Sequence, residues 1–143
     1  MTQCLLSTRT ISRLNSTVVV NDSCATAQAV NLTTQNVTVY GNTCGANADV
    51  VPDCGSGGMP DLIYSVNIPP GAQSVNVLIS PGFIVEVMSP CGQGSLLACL
   101  NGGGSVSRVG PTTLYFSVQM QVPRGGGTGA RCGAFRMVLD KRW

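Results

Sequence analysis

One stretch constrains the fold more than any other: MPDLIYSVNIPP, beginning at Met59. Between its prolines it alternates Leu62, Tyr64 and Val66 with Ile63, Ser65 and Asn67. A period of two marks a strand with one face against a core, and a proline at each end stops it. The same alternation returns later in the chain. Val75, Val77 and Ile79 share one face of the segment 74–80. Pro81-Gly82 is a turn signal, and Phe83, Val85 and Val87 then alternate with Ile84, Glu86 and Met88. Further strands are expected over 95–100, 105–109 and 113–122, with Leu114, Phe116, Val118, Met120 and Val122 facing in. A last strand over 133–140 carries Phe135, Met137 and Leu139 inward. An earlier one, 35–41, turns Val37 and Val39 inward. About eight strands separated by turns predict an all-β, jelly-roll-like β-sandwich.

The ends of the chain read differently. In residues 1–20 β-branched residues dominate and no helix cap is evident, so the segment reads as an extended N-terminal arm with apolar Leu5, Leu6, Ile11, Leu14, Val18, Val19 and Val20. Residues 21–143 form the sandwich. At its start Asn21-Asp22-Ser23-Cys24 offers helix-starting side chains, which predicts one or two helical turns over Ala25–Val30. The first residues lack an apolar core long enough for a signal peptide, so the chain reads as a mature or fragmentary form. With no apolar run of membrane-spanning length, no membrane span is expected.

Seven cysteines and no histidine set the chemistry. The cysteine intervals are 20, 20, 10, 37, 8 and 33 residues, which leaves no CxxC pair for zinc. A disulfide framework in an extracellular, secreted protein is the better reading. Proximity in the expected sandwich suggests Cys44 with Cys54, Cys91 with Cys99, and Cys24 with Cys132, although six cysteines admit many connectivities. Cys4 is left over, either free or bridging to another subunit.

Several function classes fall away. Without histidine there is no Ser-His or Cys-His pair. The six carboxylates are Asp22, Asp49, Asp53, Asp61, Glu86 and Asp140, and the neighbours Asp49, Asp53 and Asp61 read as loop solvation or turn residues. The glycine run 124–129 lacks the ending of a phosphate loop. No enzyme activity, cofactor or metal is expected. The basic residues are scattered and the net charge is only +2, which argues against nucleic acid.

Charged residues make up only 10% of the chain, so hydration must come from uncharged polar groups or attached sugar. N-x-Ser/Thr sequons stand at Asn15, Asn21, Asn31 and Asn36. Asn36 is the foremost candidate for an N-linked glycan, because inward Val37 and Val39 leave it facing solvent; Asn31 is second. Use of these sequons would make the source eukaryotic.

The segments NDSCATAQAV, PDLIYSV, SPCGQGSLLAC, TTLYFSV and GAFRMVL, in that order, resemble jelly-roll modules related to the bacterial pre-peptidase C-terminal domain. The resemblance implies a secreted or cell-surface sandwich. Such modules carry an acidic stretch where this chain has Leu100-Asn101-Gly102-Gly103-Gly104, which leaves a calcium role at that place without support. With its arm, the chain also resembles strand-donating jelly-roll protomers of extracellular fibrils. Two functions follow as expectations. The first is a structural subunit of a glycosylated filament, partnered by copies of itself through head-to-tail insertion of residues 5–20. The second is a carbohydrate-binding or cell-surface adhesion module. That role needs displayed aromatics, whereas most of Tyr40, Tyr64, Tyr115, Phe83, Phe116, Phe135 and Trp143 are expected in the core.

Overall fold

The computed structural model describes residues 21, 23–33, 35–47, 54, 59–92, 96–121 and 132–143. The arm 1–20, with Cys4 and its apolar residues, lies outside them, as do Asn15, Asp22, Asp49 and Asp53. The described residues form nine strands: β1 (Gln28–Asn31), β2 (Val37–Asn42), β3 (Asp61–Ile68), β4 (Ser74–Ile79), β5 (Phe83–Met88), β6 (Leu96–Asn101), β7 (Gly103–Ser107), β8 (Thr112–Met120) and β9 (Ala134–Arg142). They make a larger sheet in the order β1-β3-β8-β5-β6 and a smaller one in the order β2-β9-β4-β7. This is the expected all-β sandwich.

The proline-bounded stretch is β3, antiparallel to β8 along its whole length from Asp61↔Gln119 to Ile68↔Thr112. Its alternation places Leu62, Tyr64, Val66 and Ile68 in one core with Val85 and Phe116 of the same sheet and Val75, Val77, Met137 and Leu139 of the other. Tyr64 meets Phe135 edge-on, with ring centroids 6.4 Å apart. Burial pushes the Tyr64 phenol above its ordinary pKa, against the lowering effect of a hydrogen bond with Asn21.

Gly41 of β2 makes room for this pair. A Cβ built there would lie 2.5 Å from Phe135 Cζ and 2.8 Å from the Tyr64 hydroxyl oxygen. We expect Gly41→Ala to lower stability by about 1–3 kcal/mol, the usual range for overpacking. A urea titration reads the shift in midpoint, and an unchanged midpoint would mean that the aromatic pair yields freely.

Two local expectations are corrected. The residues Ala25–Val30 do not form a helix. A 3-10 turn covers Cys24–Thr26, and the chain then becomes β1, parallel to β3 from Gln28↔Tyr64 to Asn31↔Asn67. Pairing satisfies more backbone than a second helical turn could, and it carries Val30 into the core. Part of the outer face of the larger sheet, around Ile63, Glu86 and Met88, is also buried rather than solvated. Ile63 and Met88 form a second apolar cluster with Cys24, Ala27, Cys91 and Tyr115 packed on it. All of β5 is buried, Glu86 included. Asp61, read from the sequence as solvation or a turn, is fully buried in β3.

The disulfide pairing differs as well. The six expected cysteines are bridged, but as Cys24–Cys91, Cys44–Cys132 and Cys54–Cys99. Cys44 with Cys54, Cys91 with Cys99 and Cys24 with Cys132 do not pair. Proximity in the expected sandwich suggested two local loops and one bridge between its ends, whereas all three bridges join segments at least 45 residues apart. Cys44 and Cys132 each lie two residues beyond the last matched pair of β2 and β9, Asn42↔Ala134, so that ladder delivers them to each other.

Candidate functional site

The two flanks of the sandwich are unlike. On one, β6 passes into β7 through Gly102, so these edge strands lie together. On the other flank are β1 and β2. The β1 side is closed where β3 extends beyond it. Ile63 N–H donates to the Asn21 carbonyl at 2.8 Å, and Asp61 N–H donates to the Asn47 carbonyl at 3.1 Å. The Asn21 side-chain amide donates to the Ile63 carbonyl at 3.3 Å.

Among the described residues, the β2 side is open. Its sequence, VTVYGN, bonds to β9 on one side, and no described strand pairs with the other. Natural edge strands are usually blunted by shortness, charge, proline or bulges. β2 has six residues, no charge and no proline. By contrast β1 has four residues, β7 carries left-handed glycines at Gly103 and Gly104, and β6 borders a register shift at Val87/Met88.

Beside the open edge lies the outer face of the smaller sheet. Tyr40 is 74% exposed and Leu78 65% exposed. Thr38, Val138 and Leu78 form one cross-strand row. A cavity of about 350 Å³ on this face is lined by Asn36, Asn76, Val77, Leu78, Gly104, Val138, Asp140 and Arg142. Asp140 and Arg142 approach to 3.9 Å. With its amide turned so that the oxygen faces Arg142, Asn76 accepts from Nε and Nη2 at 2.8 Å and donates to Ser105 Oγ at 3.1 Å.

The sequons separate by placement. Asn36 is exposed at the start of β2. Asn31 is exposed on β1, where its Oδ1 accepts from Asn67 Nδ2 at 2.5 Å. Asn21 is only 7% exposed, and its amide nitrogen is the clamp on Ile63, so its side chain serves the fold rather than solvent. Asn15 and the arm residues fall outside the described region.

Elsewhere, a polar group sits under the cover of the larger sheet. Glu86 accepts from Cys54 N–H at 3.2 Å and from Gln119 Nε2 at 3.4 Å, so the carboxylate holds the bridged segment down. Burial keeps Asp61 and Glu86 from reaching a substrate directly. Sequence reading missed the burial of both, because alternation alone leaves the second face of a strand open to solvent. The apolar residues beside them in the pattern, Ile63, Ile84 and Met88, were the signal that something covers it. At one pole a cleft of about 710 Å³ is lined by Gln73, Ser74, Ser107, Arg108 and Thr112, among others. The core takes Tyr64, Phe83, Phe116 and Phe135, while Tyr40 and Trp143 are exposed.

Among the described residues, no group of three or more His, Cys, Asp or Glu is placed to hold a metal ion. None of their helices is long and apolar enough to cross a membrane. Three disulfides in so small a domain are typical of an extracellular or periplasmic protein.

No known protein family and no curated protein matches the chain by sequence. Among solved structures it is similar to PliG of Aeromonas hydrophila, a periplasmic inhibitor of g-type lysozyme. The TM-score is 0.52 at 12% identity, covering 81% of this chain and 97% of that one. It is similar too to the pre-peptidase C-terminal domain of a Bacillus anthracis collagenase, with a TM-score of 0.51 at 14% identity, covering 80% of this chain and 94% of that one. Neither is described as a catalytic domain. At such identities the likeness is one of fold, and the resemblance noted in the sequence to pre-peptidase C-terminal modules holds at that level.

Proposed function

We propose that the chain is a non-enzymatic structural subunit of an extracellular filament, built by head-to-tail insertion of one copy's arm against the next copy's β2. The unblunted β2 edge carries this reading. Its backbone groups offer a template to any extended segment, and the β-branched arm is a suitable occupant. Reach is sufficient. Extended at about 3.3 Å per residue, residues 5–20 span about 50 Å, against about 20 Å for β2. Such a contact is heterologous and does not close on itself, so it propagates.

The edge can be blocked without touching the arm. Val37 is only partly buried against the core, so a lysine there can lead its charge out to solvent along its aliphatic stem. We expect Val37→Lys to keep a folded, soluble protein and to reduce filaments, counted by negative-stain electron microscopy, at least tenfold. Filaments of normal number from a folded Val37→Lys protein would refute docking at β2.

The polar cleft favours a second reading, a carbohydrate-binding or adhesion module. Its lining of hydroxyls, Gln73 and Arg108 suits a hydroxylated ligand. Absence of binding on a glycan array would remove that reading.

A further inference from the structure

We propose that Asn36 carries an N-linked glycan whose first sugars lie on the outer face of the smaller sheet, over Leu78 and Val138. The inference goes beyond the filament reading and does not depend on it.

Asn36-Val37-Thr38 is a complete sequon. Asn36 and Thr38 are both exposed, and Val37 between them turns toward the core. The asparagine also helps line the 350 Å³ cavity, so a sugar on its amide begins inside that space. The volume lies in the range of small-ligand sites, which start at about 300 Å³.

The lining matches the occupant. A pyranose has an apolar C–H face and a rim of hydroxyl groups. Here the floor is Leu78 and Val138, a cross-strand pair, and the rim is Asn76, Asp140 and Arg142. Amide, carboxylate and guanidinium together offer both acceptors and donors to hydroxyls. Beyond the same Leu78–Val138 pair a second hollow of about 200 Å³ continues past Ser80 and Arg136, which gives a second sugar a place. This occupant also accounts for a large aliphatic side chain, Leu78, left 65% exposed on a protein with so few charges.

The test uses the chain secreted from eukaryotic cells. Peptide-N-glycosidase digestion in heavy-oxygen water, followed by peptide mass mapping, reads occupancy. We expect Asn36 to be converted to labelled aspartate in the parent and in Thr38→Ser, and the label to be lost in Thr38→Ala. Nuclear Overhauser contacts between the first sugar's N-acetyl methyl and the Leu78 and Val138 methyls read the seat. They should vanish on deglycosylation. An unoccupied Asn36, or an occupied one whose sugar makes no contact with those methyls, overturns the proposal. Asn36→Gln at this exposed position supplies a folded, unglycosylated reference. Loss of filaments in any variant leaves both readouts interpretable.

Discussion

Deleting residues 1–20 should leave a folded monomer and abolish filaments. The body has what it needs without the arm. Its main core is assembled from residues between Val30 and Leu139. Three disulfides tie its segments, and Asn21, the first described residue, already closes the exposed length of β3. Asn21 lies against Ile63 on the flank that also holds β2, so the competing arrangement is an arm folded onto its own edge. The two arrangements part clearly on deletion. Sedimentation velocity and a thermal melt of the truncated chain should show a single small species with a cooperative transition. A peptide of residues 1–20 should then bind it one to one. A truncated chain that aggregates or melts without cooperativity would mean that the arm completes its own sandwich. Filaments surviving the deletion would sink the reading outright.

The second large effect concerns Cys44–Cys132. This bridge has a sequence separation of 88 residues, greater than the 67 of Cys24–Cys91 and the 45 of Cys54–Cys99. In the chain-entropy description a loop of that length contributes about 4–5 kcal/mol by restricting the unfolded chain. Such a loss is a large part of the stability of an ordinary domain. Replacing both cysteines by serine should therefore lower the melting temperature by about 15 °C. The native structure has a second hold on this corner, since Thr43 N–H donates to the Gly133 carbonyl at 2.9 Å. The double variant should thus fold in the cold with the same sheets. A decrease below about 1 kcal/mol would show that the unfolded chain is already restricted there by other means.

Period-two alternation was enough to find most strands and most core positions, though not Val30, Leu32, Ile68, Ala72, Leu100 or Val106. Leu62, Tyr64, Val66, Val75, Val77, Phe116, Met137 and Leu139 all point where their spacing says. The exposure of Asn36 was legible for the same reason. What could not be read was anything set by contact between distant segments. Cys24 finds Cys91 because the 3-10 turn crosses the outer face of the larger sheet, and nothing near either residue says so. The β1 segment is too short to show a period, and its parallel neighbour lies more than 30 residues away. Glu86 lies on the face its spacing says, and only its cover was illegible. Alternation tells inside from outside only where the outside is bare, and here Cys54 and its bridge lie across it. The open side of β2 was likewise invisible, because which strand ends a sheet is a property of the order of all of them.

That cover makes the molecule two-faced. Cys24–Cys91 and Cys54–Cys99 fasten chain across the back of the larger sheet, while the smaller sheet shows Tyr40 and Leu78 to the surroundings. In any ordered array of copies, one side would be fastened by cystine and the other would present bare side chains to its surroundings.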